Sequence, residues 1–96
     1  MAKTYWIACY RKIKDANALA EYAKLGGPAI TGAGGRFIVR GMPAHTYEKG
    51  ENQRTVVIEF DSLQAALAAH DTPAYQEALR ALANGAERDI RIMEGI

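Results

Sequence analysis

The stretch R-T-V-V-I-E-F-D-S-L-Q-A-A, residues 54–66, constrains the fold more than any other. It begins as the clearest strand in the chain, 54–60, and passes directly into a helix start. Strand side chains alternate faces, so Val56, Ile58 and Phe60 share one side and Thr55, Val57 and Glu59 the other. The first set is the more apolar and is expected against the core. Asp61 offers an N-cap, with Gln64 three positions on in the manner of a capping box. Leu63, Ala66, Leu67 and His70 then recur at helical spacing.

The rest of the chain arranges itself around this unit. Residues 3–13 are rich in aromatic and branched side chains and read as a strand. Asp15 caps a helix carrying Leu19, Tyr22, Ala23 and Gly26 on one stripe. Gly26-Gly27-Pro28 is expected to kink or break it, because Pro28 cannot donate to the carbonyl of Lys24. Helix resumes through Ala29-Ile30 and ends in Gly32, Gly34 and Gly35. A short strand follows at 36–40, in the stretch G-G-R-F-I-V-R-G. Gly41-Met42-Pro43 suggests a bulge or edge break, 44–48 an edge strand, and 49–52 a hairpin turn. Thr72 at N-cap and Pro73 at N1 start a further helix with Tyr75, Ala78, Leu79 and Leu82 inward. Gly85 stops it, and 87–94 closes as a strand.

The order is β-α-β-β-α-β, an α+β, ferredoxin-like plan with a four-stranded antiparallel sheet and its second helix split at Thr72-Pro73. Helices cover one sheet face and leave the other open. Tyr5, Ile7, Cys9, Phe37, Val39, Ile90 and Ile92 are expected under the helices. The open face is then expected to hold Trp6, Tyr10, Ile38, Val57 and Met93, with Arg36, Arg40, Glu59 and Arg91. A patch this apolar points to a partner surface. A homodimer joined through the open sheet face is the reading that explains it.

Ninety-six residues fit one domain, 1–96. Twelve basic against eleven acidic residues leave a net charge of +1, which gives no general attraction to nucleic acid or anionic membrane. RNA readers of this topology stack bases on aromatics of the third strand, where this chain has Thr55 and Val57. Neither nucleic acid nor membrane is therefore expected as a partner. A lone cysteine and the short apolar run at 5–10 are consistent with a cytoplasmic protein.

Four stretches in this order, K-T-Y-W-I-A, G-G-R-F-I-V-R-G, V-V-I-E-F-D-S-L-Q-A-A and T-P-A-Y-Q-E-A-L-R, with a terminal I-M-E-G-I, resemble the domain-of-unknown-function 1330 family. That family lies in the dimeric α/β-barrel superfamily. The resemblance covers nearly the whole chain and implies a ferredoxin-like subunit that dimerises into an α/β barrel. It implies no established activity. Other branches of the superfamily resemble cofactor-independent monooxygenases, lactone isomerases and haem enzymes, and fold alone does not transfer their chemistry. Relatives tend to carry aromatics where this chain has Ala69-His70, which implies a more polar pocket here.

Two function classes follow. In one, the chain binds a small organic molecule between sheet and helices and acts as a cofactor-independent enzyme. His70 is then the acid/base and Tyr75 and Arg40 orient an oxygenated or anionic substrate. Against this stands a last-turn histidine interacting with exposed carbonyls and a packed tyrosine. In the other class the chain is a non-catalytic dimeric binding or structural module. Arg36, Arg40, Glu59 and Trp6 are the ligand-binding candidates. Their structural reading is an intersubunit ion network. No cofactor or metal is expected, since His45 and His70 stand far apart with no neighbouring ligand. Cys9 has no visible base, and the glycines at 32–35 precede a strand instead of a helix, so neither signals catalysis or phosphate binding.

Overall fold

Among the described residues, Asp15, Ser62 and Thr72 cap three helices, and the strands lie before, between and after them. The computed structural model describes residues 2–96. The order is β1 (Thr4–Ile13), α1 (Ala16–Gly32), β2 (Arg36–Gly41), β3 (Thr55–Phe60), α2 (Leu63–His70), α3 (Pro73–Leu82) and β4 (Ala86–Glu94). The sheet runs β2-β3-β1-β4 with antiparallel neighbours throughout. This is the ferredoxin-like arrangement, with α2 and α3 together in place of one second helix.

Residues opposite each other on neighbouring strands share a sheet face. Trp6 lies opposite Ile58 and Ile92, and Ala8 opposite Val56 and Ile90. Trp6, Ala8, Tyr10, Val56, Ile58 and Phe60 are all buried and form the core under the helices. The expected facing of β1 is therefore reversed: Trp6 and Tyr10 point inward, and Tyr5, Ile7 and Cys9 point out. Both sides of β1 are apolar, so alternation alone carries no sign. Burying the larger aromatic pair removes more apolar surface from water.

The pairing of β2 with β3 shifts by one residue between Phe37 and Val39. Ile38 is the extra residue, and beyond it every side chain changes face. Arg36, opposite Glu59, points out. Phe37 and Arg40, opposite Ile58 and Val56, point inward. The expectation that Arg36 and Arg40 share a face fails on this bulge, and Val39, expected inward, is half exposed. The edge break expected at 41–43 is where β2 ends, and the Ile38 bulge is a second irregularity inside the strand. Residues 42–54 form a loop without an edge strand, and its tight turn, closed by Gly50 N–H to the Tyr47 carbonyl at 2.9 Å, falls on Glu48-Lys49.

Helix α1 begins as expected, with the Asp15 carboxylate accepting from the Asn17 and Ala18 N–H groups at 3.0 and 3.1 Å. It then runs unbroken through Pro28. Gly27 lacks the Cβ that would clash with the proline ring, and the buried stripe Tyr22, Gly26, Ile30 holds the helix to the core. The α2 cap is Ser62, which accepts from the Ala65 N–H at 3.1 Å, and not Asp61. Asp61 is drawn outward by Lys3 at 2.7 Å and Arg36 at 2.9 Å. Thr72 caps α3 as expected, with Pro73 in its first turn.

Gly35 closes the core where α1 turns into β2. A Cβ there would stand 2.6 Å from Ile30 Cγ2 and 2.9 Å from the tip of the Phe60 ring. Gly35→Ala is expected to lower unfolding stability by about 1–3 kcal/mol through overpacking. Gly32→Ala, which meets nothing within 4 Å, should leave stability unchanged or slightly raised. Chemical denaturation of both variants checks this, and equal midpoints would count against the packing described.

Candidate functional site: an arginine and tyrosine cluster under helix α1

The inner sheet face extends past the packed core toward Tyr10, and there α1 roofs a cavity of about 40 Å³. Trp6, Ala8, Val56 and Ile58 form its floor, Phe37 stands at one side, and Tyr22, Gly26 and Ile30 descend from α1. Three arginines line it: Arg40, Arg54 and Arg88. No aspartate or glutamate does.

Each arginine has a local reason to be there. Arg88 pairs opposite Tyr10 across the β1–β4 ladder and so shares its inward face. Arg40 is turned inward by the Ile38 bulge and lies over the Phe37 ring, 4.8 Å from its centroid. Arg54 is held where its carbonyl accepts from the Tyr10 N–H at 2.9 Å, with its guanidinium 5.9 Å from the Tyr10 ring centroid. The Arg54 Nε is buried and has no hydrogen-bond partner.

Arg88 organises the deep end. Its Nη1 donates to the hydroxyl oxygens of Tyr10 and Tyr22, both at 3.1 Å, and its Nη2 to that of Tyr75 at 3.4 Å. The Tyr22 and Tyr75 oxygens are themselves 2.7 Å apart and share a hydrogen bond. The guanidinium also stacks against the Tyr22 ring at 4.6 Å and the Tyr10 ring at 5.4 Å. Burial opposes the charge on Arg88, but the tyrosine oxygens outweigh it and hold its pKa above the ordinary guanidinium value. Burial, then the neighbouring Tyr22, pushes the Tyr75 hydroxyl well above the usual tyrosine range despite the pull of Arg88. Tyr75 therefore keeps its proton at neutral pH and is not a base.

Gly26 is what allows Tyr22 to reach this point. A Cβ on Gly26 would lie 3.3 Å from the Tyr22 ring carbon that bears the hydroxyl, so the ring lies flat along the glycine. Tyr75 comes from the first turn of α3, where the Thr72 hydroxyl accepts its N–H at 3.1 Å.

Of the residues singled out from sequence, Trp6, Arg40 and Tyr75 come together here. Trp6 and Arg40 line the cavity, and Tyr75 stands one hydroxyl behind it. His70 does not line it. It sits exposed at the end of α2, its Nδ1 2.9 Å from the Asp71 carboxylate, in a separate groove with Ile90 and Ile92. Its ring meets Trp6 and Tyr75 from that other side, at centroid distances of 5.8 and 5.5 Å. Arg36 and Glu59 lie on the outer face, paired at 3.1 Å, with Tyr5 donating to Glu59 at 3.2 Å. Their side chains satisfy one another within the chain, and the cross-strand pairing that joins them also keeps them from the cavity. His45 packs on Tyr47 in the 42–54 loop.

Tyr22, Arg54 and Arg88 were not singled out, and Tyr10 was expected on the opposite face. A signal for Arg88 exists: it precedes Ile90 and Ile92 at two-residue spacing, so their inward facing extends to it. A signal for Arg54 exists too: in the strand read at 54–60 it precedes Val56, Ile58 and Phe60 at two-residue spacing, so their inward facing extends to it. Among the described residues no group of three or more His, Cys, Asp or Glu is placed to hold a metal ion. No helix among them is long and apolar enough to cross a membrane.

Solved structures with this fold span almost the whole chain. A protein of unknown function from Rhodopseudomonas palustris, RPA0582, superposes with a TM-score of 0.78 at 16% identity, covering 99% of this chain and 83% of its own. A dimeric ferredoxin-like protein of unknown function from Thermobifida fusca gives 0.66 at 20% identity, covering 97% and 91%. SnoaB, a cofactor-independent oxygenase from Streptomyces nogalater, gives 0.64 at 13% identity, covering 97% and 92%. At these identities the likeness is one of fold. No curated protein matches the chain. The family model described as Domain of unknown function (DUF1330) matches residues 3–96, and the chain belongs to that family.

Proposed function

We propose that the protein is a homodimer, each subunit of which binds a small organic molecule in the cavity between the sheet and α1. The observation that carries this reading is the lining: aromatic and aliphatic walls, three arginines and no carboxylate of the chain's own. Ligand sites are concave and mostly apolar with a few converging polar groups, and an uncompensated positive lining favours an oxygenated or anionic ligand. Tyr75 and Arg40 fit the orienting roles of a cofactor-independent enzyme. Tyr75 keeps its proton, and Arg40 sits at the rim. An acid/base role for His70 would have to act across the rings of Trp6 and Tyr75. A binding module without turnover uses the same cavity and differs only in lacking a reactive step. The oxygenase SnoaB and the dimeric T. fusca protein lend each half of the proposal a precedent of fold.

The dimer reading rests on the outer sheet face. Helices cover only the inner face, and Ile38, Val39 and Met93 are each at least half exposed beside Ile7 and Val57. A second copy of this sheet would cover them.

Trp6 is the only tryptophan and forms part of the cavity floor, so its fluorescence reports occupancy directly. A panel of small organic molecules, neutral and acidic, is expected to include binders that change this signal. Ala23→Phe, at the exposed rim, should abolish the change without touching the core. A silent panel, or an equal response in the blocked variant, would remove the pocket from the account. Light scattering at micromolar concentration should give a dimer for the wild type and a monomer for Val57→Glu. A monomeric wild type would contradict the assembly.

A further inference from the structure

We propose that Tyr10, Tyr22 and Arg88 form a carboxylate-recognition site that takes the acid end of a small organic acid head-first into the cavity. This rests on the cavity being a ligand site. Hydrogen-bond accounting at the cluster points to it. Arg88 uses its Nη1 and Nη2 donors on the three tyrosine oxygens. The Tyr22–Tyr75 contact consumes one hydroxyl proton. Two hydroxyl protons are left with no acceptor among the described residues. The Tyr10 proton is one of them in either orientation of the Tyr22–Tyr75 bond, and with Tyr75 as donor the second is that of Tyr22; Tyr10 and Tyr22 both line the cavity. Their oxygens accept from the same Arg88 nitrogen, so the two hydroxyls converge on one region. Buried donors are almost always paired, with protein groups or ordered water, and a cluster this rich in donors, positive and poor in acceptors favours an anion over water.

The ligand class follows from shape and charge. The buried Nε of Arg54 also lacks a partner, and Arg54 is one of the residues lining the same cavity. A carboxylate has two oxygens and about four acceptor sites, enough for two hydroxyls and a guanidinium. At roughly 10–15 Å³ for each water-sized position, the cavity of about 40 Å³ holds about three such positions. A carboxylate fits within that volume, and inorganic phosphate is the competing anion that a titration separates from it. The remainder of the acid would leave past Arg40 and the α1 rim at Ala23.

The experiment is an NMR titration of the folded protein, following the Trp6 indole N–H, with acetate, propionate, the matching amides and inorganic phosphate as probes. The acids are expected to bind at least tenfold more tightly than their amides. Tyr10→Phe and Tyr22→Phe should each weaken acid binding by about tenfold, the scale of one hydrogen bond to a charged group, and weaken the amides less. Both variants keep their rings, and the spectrum itself reports whether each is folded. If one fails to fold, the other and the wild-type contrast of acid with amide still decide. Amides binding as well as acids, phosphate binding more tightly than either acid, or acid binding indifferent to loss of a folded variant's hydroxyl would overturn the carboxylate assignment. The cavity would remain a ligand site in each case. If these acids fail while other organic molecules still perturb Trp6, the assignment falls and the pocket stands. If nothing perturbs Trp6, both fall.

Discussion

The guanidinium of Arg88, half-buried against three tyrosine hydroxyls, is the interaction on which the rest of the site depends. Removing a charge from water is costly unless it is paired and hydrogen-bonded. Here the compensation comes from neutral oxygens and two aromatic faces instead of a carboxylate. That choice ties four elements together: Tyr10 from β1, Tyr22 from α1, Tyr75 from α3 and Arg88 from β4. It also leaves the cluster positive, since no acid neutralises it. A carboxylate at the position of Tyr22 would pair with Arg88 and end the demand for an outside acceptor. The tyrosines stabilise the arginine and keep it electrostatically unspent.

The two faces of the sheet carry different chemistry, and the Ile38 bulge separates them. One arginine of β2, Arg36, joins an outer network with Glu59, Asp61 and Lys3. Hydrogen bonds from Lys3 and then Arg36 hold the Asp61 carboxyl below its usual range. These groups are exposed, and such pairs add little to stability. The other arginine, Arg40, crosses to the inner face and borders the cavity. A single inserted residue thus divides two like side chains between a satisfied surface network and a site short of acceptors.

Much of the fold was legible in the residues because the signals were local. Asp15 and Thr72 act as caps, Pro73 opens α3, and Val56, Ile58 and Phe60 face the core as their alternation requires. The errors arose where tertiary packing supplied the deciding information. Strand β1 is apolar on both faces, so only the volume available under the helices decides that Trp6 and Tyr10 go in. The bulge at Ile38 leaves no mark in the pattern R-F-I-V-R. Gly26-Gly27-Pro28 read as a break, yet the same glycines make the helix tolerable and give Tyr22 its path. The site was half visible for the same reason. Trp6, Arg40 and Tyr75 were recognisable as unusual side chains. Arg88 was hidden because an arginine at the start of a strand ordinarily reaches solvent, and its partial burial depends on tyrosines as far apart in sequence as Tyr10 and Tyr75.

The most direct measurement is a crystal structure of the protein purified from its native host, without small carboxylic acids in any buffer. The account predicts density in the cavity within hydrogen-bond distance of the Tyr10 and Tyr22 hydroxyls, with its polar end toward Arg88. A cavity closed by the chain's own side chains, or Arg88 paired with a carboxylate of either subunit, would contradict it.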